Sequence, residues 1–221
     1  MRLFELFSNP RGFLMDMLYL LPAVIIALSF HEWAHAYAAY RLGDPTARNL
    51  GRMSVNPMCH LDPFGLIMLF LVGFGWAKPV PINPRNFKKP RRDEIIVSLA
   101  GVTANILLAF VFMGLYYLIN LGFGFSNAVV NTIVMYIVQI NIALFIFNLL
   151  PVPPLDGYRV VQCLLIRKVS PNVFYYAEKY GYLILIVLLM SGVFSGVLNA
   201  GLNGIMSAMS MVYTSIISLF V

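Results

Sequence analysis

The sequence contains few charged residues and almost no cysteine, and both shortages narrow the class of protein. Only 11% of its 221 residues are charged, whereas 60% are hydrophobic. A water-soluble globular domain is only about half apolar, so this composition excludes one and indicates a membrane protein. The two cysteines, Cys59 and Cys163, fall in segments expected to face a reducing compartment, and no disulfide is predicted.

The apolar residues do not alternate with polar ones in the period of two that membrane β-barrels require. They form long blocks, so the spans are expected to be helices. Three blocks are long enough to cross about 30 Å of hydrocarbon: Phe13 to Arg41, Ile95 to Asn120 and Ala128 to Leu150. Residues 181–221 carry no charge and can hold two more spans.

Shorter segments connect these blocks. Phe64 to Trp76 is apolar but too short to cross, which predicts a re-entrant segment. The alternation at Asn49 to Val55 predicts a strand in a small cytoplasmic hairpin. Tyr158 to Lys168 is amphipathic and residues 1–10 mix apolar with polar side chains, so both suit helices at the membrane surface.

Together these segments predict an all-α, polytopic helical membrane protein with about five spans. We expect one domain over residues 1–221, with a core at 13–160 and C-terminal helices at 174–221. In the last region a stripe of small residues recurs every four positions, at Gly192, Gly196, Ala200 and Gly204. Such a stripe lets helices approach closely, which fits packing within the chain and also allows a homodimer.

The net charge of +6 is concentrated in one part of the chain. Nine of the fifteen Lys and Arg residues lie between Arg41 and Arg92, whereas residues 120–128 hold none. Positively charged loops face the cytoplasm, which predicts a cell-membrane location with the carboxyl ends of the first and third spans inside. The basic run from Lys88 to Arg92 is then a topology signal attracted to lipid headgroups, and no nucleic-acid partner is expected.

The first span carries the motif His31-Glu32-Trp33-Ala34-His35. On a helix, His31 and His35 project from one face on adjacent turns and can bind one zinc ion, while Glu32 can take a proton from the attacking water. The motif can also be a polar and aromatic belt at the span's end, or part of a signal peptide cleaved near Ala36. Ionisable groups in a membrane helix are expensive, which favours the metal site.

A catalytic zinc needs a third protein ligand, and the candidates are Asp156, His60, Asp62 and Cys59. Asp156 is the best choice because Pro151, Pro153 and Pro154 turn the chain where the third span ends. Asp156-Gly157 alone also fits a plain turn or helix cap. His60 and Asp62 can instead form a lid over the metal. Alternatively, His60 is a solvent-facing loop residue and Asp62 marks the start of a helix.

Two separated motifs, HEWAH and Asn148-Leu-Leu-Pro-Val-Pro-Pro-Leu-Asp156-Gly157, resemble the site-2 protease family of intramembrane zinc metalloproteases. A third family motif, Gly-Pro-x-x-Asn, is matched by Gly101-Val-Thr-Ala-Asn105, in which Val102 replaces the proline. The resemblance covers most of the chain up to Arg159 and corresponds to a compact form without a PDZ domain.

This resemblance implies one zinc per chain, held by His31, His35 and Asp156, with Glu32 as the catalytic base. It implies that Asn148 positions the substrate or stabilises the oxyanion, and that Asn105 is a further site residue. The implied activity is cleavage of transmembrane segments of protein substrates within the lipid bilayer.

Other functions also fit parts of the pattern. Intramembrane His and Asp residues line ion pathways, so a membrane metal transporter is the main alternative. A structural protein that has lost turnover is another. For Asn105 and Asn148, plain hydrogen bonding between helices competes with a catalytic role.

Overall fold

The structure is a computed structural model that describes residues 7–72 and 75–219. Its α-helices, in chain order, are α1 (Pro10–Arg41), α2 (Thr46–Asn49), α3 (Pro63–Val72), α4 (Pro90–Tyr117), α5 (Ala128–Asn148), α6 (Asp156–Leu165), α7 (Pro171–Met190) and α8 (Val193–Ile217). A π-helical turn, Leu118–Gly122, extends α4. Short 3-10 turns lie at Pro57–Cys59 and Pro84–Asn86.

Five of these helices are long and apolar enough to cross a membrane: α1, α4 with its extension, α5, α7 and α8. The chain is therefore an all-α, multi-pass membrane protein, as predicted. The fourth span begins at Pro171, ahead of the uncharged region, and includes Glu178. Gln162 Nε2 on α6 donates to Glu178 Oε1 at 2.7 Å, so tertiary contact gives this acid a partner.

The predicted strand at Asn49 to Val55 is wrong. The chain instead closes a turn directly after α2, where Arg52 N donates to Ala47 O at 2.8 Å and Gly51 adopts a φ of +67°. Within residues 7–72 and 75–219 the β pairing is limited to one bridge, Leu61 with Ala77. Local hydrogen bonds to the preceding helix outweigh the weak alternation of the sequence.

The predicted re-entrant segment contains α3, which spans only ten residues. At 1.5 Å per residue α3 is about 15 Å long, half of what a crossing needs. The amphipathic segment becomes α6, which begins two residues earlier than predicted, at Asp156. Residues 1–6 of the predicted interfacial helix lie outside the described residues.

The centre of the protein is formed by α1, α4 and α5, which pack on one another along their length. A tight apolar cluster joins α4 and α5 to α8, and it consists of Ala109, Met113, Val138, Ile142 and Met209. Asn127 begins α5 by accepting hydrogen bonds from Val129 N and Val130 N. This packing fixes α1 against α4, where the candidate site lies.

The small-residue stripe does not pack within the chain as the sequence favoured. A Cβ atom added at Gly196 or Gly204 would meet nothing within 4 Å, whereas one at Gly201 would lie 2.7 Å from Ile146 Cδ1. The close contact of α8 is therefore made by Gly201, which is outside the stripe. The homodimer stays a prediction.

Asp44 joins the end of α1 to the chain that leads to α4. Its side chain is fully buried and accepts hydrogen bonds from Asn83 N at 2.7 Å, Asn86 Nδ2 at 2.7 Å and Thr46 N at 3.1 Å. Burial raises the pKa of Asp44, but the hydrogen bonds of Thr46, Asn83 and Asn86 outweigh it, so this pKa lies below its ordinary value.

Asp44→Asn should lower the melting temperature of the purified protein at pH 7, because the amide cannot accept all of these hydrogen bonds. The folded-state pKa lies below the reference of 3.8, so this stabilisation is complete above that pH and is lost as pH falls through the folded pKa. The difference in melting temperature between Asp44→Asn and the wild type should therefore become smaller in acid. Asp16→Asn, which changes an exposed carboxyl, is the control. Equal melting temperatures of Asp44→Asn and the wild type at pH 7 would contradict this role of Asp44.

Candidate metal centre

Three side chains from two distant parts of the chain converge at one point. His31 and His35 lie on α1, and Asp156 is the first residue of α6. The two Nε2 atoms are 3.0 Å apart, and Asp156 Oδ2 lies 3.3 Å from that of His31 and 3.2 Å from that of His35. In the described part of the chain these residues form the group that could hold a metal ion.

The spacing of these three atoms fits zinc. In a tetrahedral site with bonds of about 2.0 to 2.1 Å, neighbouring ligand atoms lie about 3.3 to 3.4 Å apart, close to the separations found here. Asp156 Oδ2 is buried and has no hydrogen-bond partner among the described residues, which is costly unless a cation binds there. Two imidazole nitrogens and a carboxylate are also a donor set that catalytic zinc uses.

The ring nitrogens that face away from this point are also held. His31 Nδ1 lies 2.7 Å from Asn105 Oδ1 and His35 Nδ1 lies 2.7 Å from Val97 O. Both oxygens accept hydrogen bonds, so each Nδ1 carries the proton and donates it. Each Nε2 therefore presents its lone pair to the metal.

Burial alone raises the pKa of Asp156, yet in the metal-free protein electrostatic attraction to the neighbouring His35 and His31 outweighs burial and holds this pKa well below its ordinary range. Asp156 is thus kept as a carboxylate, the form that binds metal.

Gly101 allows α4 to pass directly over the two histidines. A Cβ atom at Gly101 would lie 2.4 Å from His35 Nε2 and 2.7 Å from His31 Cε1, well inside van der Waals contact. The glycine of the Gly101-to-Asn105 motif therefore makes room for the ligands. One turn later, Asn105 reaches His31 from the same helix.

Asn141 is a site residue that the sequence reasoning missed. Asn105 Nδ2 donates to Asn141 Oδ1 at 2.9 Å and to Ala27 O at 3.2 Å, and Asn141 Nδ2 donates to Ile137 O at 2.8 Å. Both asparagines are fully buried, so His31 is linked through α4 to α5. An amide within a mostly apolar span was the available signal.

The other predicted site residues occupy different surroundings. Asn148 donates from Nδ2 to Leu144 O at 3.0 Å in its own helix, at the end of α5 that leads to Asp156. Glu32 is buried, and its Oε2 accepts a hydrogen bond from Val80 N at 2.8 Å. Asn148 is thus the last residue of α5, and Glu32 lies on α1 between the two histidines in sequence.

His60 and Asp62 do not join the metal group. His60 is fully buried, so the solvent-facing loop position is wrong, and its Nε2 lies 2.6 Å from Ser54 O. Asp62 Oδ1 accepts from Phe64 N at 2.9 Å and Gly65 N at 3.0 Å, which makes Asp62 the start of α3. Cys59 is a free thiol outside the group.

Comparison with known proteins identifies the family of the chain. The sequence profile of peptidase family M50 matches residues 19–191, so the chain belongs to that family, which is the site-2 protease family. It is a zinc metalloprotease and a membrane protein.

Several curated proteins are similar to the chain. "Putative zinc metalloprotease YwhC" of Bacillus subtilis (strain 168) is 42% identical over 207 residues, which cover 89% of this chain and 93% of that protein. "Putative zinc metalloprotease Rip2" of Mycolicibacterium smegmatis is 30% identical over 175 residues, 76% of this chain and 64% of that protein. Rip2 of Mycobacterium tuberculosis (strain ATCC 25618 / H37Rv) is 29% identical over 176 residues, 78% of this chain and 66% of that protein. No solved structure matches significantly.

Gly101→Ala should abolish or strongly weaken zinc binding, because the added methyl group would displace His31 and His35. Zinc content of the purified protein and competition with a chelator measure this. Gly204→Ala is the matched control, since it adds the same atom to a helical glycine with open space around it. Full zinc content in Gly101→Ala would refute this account of the glycine.

Proposed function

We propose that this protein cleaves peptide bonds in transmembrane segments of other membrane proteins, at a zinc site reached from the cytoplasmic side. The observation that carries the proposal is a group of two buried histidines on a helix of crossing length and one aspartate at the start of the short helix that follows another such helix. A soluble protease has no need to place its ligands there, since ionisable groups in a span are costly.

The depth of the site also supports this location. His31 lies ten residues before Arg41, the last residue of α1, which is about 15 Å along the helix axis. Asp156 follows the end of α5 after a short loop. The site is therefore closer to the end of α1 that leads into the basic loops, where water can reach it and a released fragment can leave.

In the proposed reaction His31, His35 and Asp156 hold the zinc. When bound, zinc supplies a Lewis acid that polarises the scissile carbonyl and acidifies the attacking water. Glu32 accepts the proton of that water and passes it to the leaving amine, so hydrolysis needs no further proton donor. Asn148 is proposed to orient the substrate or stabilise the oxyanion, and Asn105 to position His31.

A substrate helix has to unwind before its backbone can reach the site, because helical peptide groups are shielded by their own hydrogen bonds. An apolar cavity of about 200 Å³ lies between α1, α3, α5 and α8. Leu28, in its wall, is one helical turn from Glu32. Such a cavity suits the apolar side chains of an unwound membrane segment.

The way in which the two histidines are held counts against metal transport, the alternative function. A transporter needs ligands that release the ion, whereas here each ligand imidazole is held by a second hydrogen bond. A buried site whose histidines are fixed by hydrogen bonds favours retention of zinc, and therefore catalysis.

Glu32→Gln should retain stoichiometric zinc but lose at least about 100-fold in cleavage of a model transmembrane substrate, because the amide cannot take the proton. Glu178→Gln, an acid outside the metal group, is the control. The assay uses purified protein in liposomes with zinc uptake followed in parallel. Equal cleavage by wild type and Glu32→Gln would refute the proposal, and zinc uptake that survives the substitution would support transport.

The proposed orientation predicts which loops are accessible from outside the cell. In a background with Cys59 and Cys163 replaced, Ser126→Cys should react with an impermeant maleimide in intact cells. Lys88→Cys should react only after permeabilisation, since its basic loop faces the cytoplasm. Both positions are exposed, so the reverse labelling pattern would overturn the orientation.

A further inference from the structure

We propose that the backbone N–H of Val80 positions the carboxylate of Glu32, so that residues 77–83, here called the strap, are part of the catalytic apparatus. This inference rests on the proposed role of Glu32. Val80 N donates to Glu32 Oε2 at 2.8 Å, and each residue is only 8% exposed. A hydrogen bond to a carboxylate in such dry surroundings is strong and directional.

The sequence of the strap makes Val80 the donor at this place. Pro79 and Pro81 have no N–H group, so within this triplet Val80 alone can donate. A proline after Val80 also favours an extended backbone at Val80. The local sequence thus presents one amide, in a stiff segment, to the helix that carries Glu32.

Both sides of Val80 are fastened to the rest of the protein. On one side Arg52 Nη2 donates to Lys78 O at 2.7 Å and to Pro79 O at 3.3 Å, while Lys78 N donates to His60 O at 2.8 Å. On the other side Asn83 N donates to Asp44 Oδ2 at 2.7 Å.

The side chain of Val80 adds to this anchoring, since it packs in a buried cluster with Ala36 of α1 and Ala47 of α2. The amide of Val80 is therefore fixed relative to α1, on which Glu32, His31 and His35 all lie. The hydrogen-bond network and this cluster together prevent the strap from sliding along the helix.

The contact has a direct consequence for catalysis. A glutamate side chain has several rotatable bonds, and holding Oε2 selects one orientation of the carboxylate while Oε1 is left to take the proton. The bond also occupies the N–H that an incoming substrate strand would use. Asn83 N is already bound to Asp44, so between Val80 and Asn83 the Ile82 N–H is the one backbone donor left. This stretch therefore pairs poorly with an extended substrate strand and instead supports Glu32.

Val80→Pro tests the inference because it deletes the N–H in a segment that already has an extended backbone. We expect kcat for the model transmembrane substrate to fall about tenfold to a hundredfold. KM and zinc content should stay close to those of the wild type, since the bond orients the base and holds neither substrate nor metal. Val80→Ala keeps the N–H and should lose far less.

Ile82→Pro places a second proline in the strap for comparison, and because within the described residues the Ile82 N–H makes no hydrogen bond, it should lower kcat less than Val80→Pro does. Wild-type kcat in Val80→Pro, or an equal loss in Val80→Ala, would overturn the inference. These results are separable from failure of the proposed function, which Glu32→Gln reports independently.

A second pair of variants tests the strap if Val80→Pro does not fold. Arg52→Ala removes both hydrogen bonds to the strap carbonyls and should lower kcat, whereas Arg52→Lys restores a donor and should recover part of the loss at unchanged KM. Wild-type kcat in Arg52→Ala, or no difference between the two variants, would count against the strap.

Discussion

A polar group that is buried between apolar helices is stabilised only by partners inside the protein, because hydrocarbon offers none. The clearest case is the line from His31 through Asn105 to Asn141, which crosses three spans. Its members are fully or almost fully buried. Once these groups pair, the rotation of α1, α4 and α5 about their axes is no longer free.

This requirement explains why the site is rigid although it is assembled from separate helices. Gly101 brings α4 close enough for Val97 and Asn105 to hold the outer nitrogens of the two histidines. The inner nitrogens then face Asp156 at 3.2 to 3.3 Å. Histidines whose outer ring nitrogens are fixed by hydrogen bonds in this way bind metal firmly. Firm binding suits the chemistry of a zinc metalloprotease better than the passage of an ion.

The polar segment between α3 and α4 is fixed by different means. It has little regular structure, yet Asp44 and Arg52 bind its backbone at several points, and Val80 N is thereby held at Glu32. Prolines stiffen the same stretch. The part of the chain with the least secondary structure is thus connected directly to the proposed catalytic base.

Much of this organisation can be predicted from the sequence. Span lengths follow from apolar blocks, and the spacing of His31 and His35 places them on one helix face because of the helical period. The prediction of a strand at Asn49 to Val55 was wrong, since a short alternation of apolar and polar residues is a weaker determinant than the hydrogen bonds that close the turn after α2. The interpretation of His60 as a solvent-facing residue was wrong because its burial depends on chain segments that are distant in sequence.

The sequence by itself determined the number and type of the spans and the motif that holds two of the proposed zinc ligands, because both depend on local composition and helical periodicity. Tertiary structure alone decided that Asn141 supports Asn105, that Gly101 clears space for the histidines and that Val80 N meets Glu32. These contacts join residues 36, 66 to 70 and 48 positions apart. Their formation depends on how helices and loops pack, which no local pattern records.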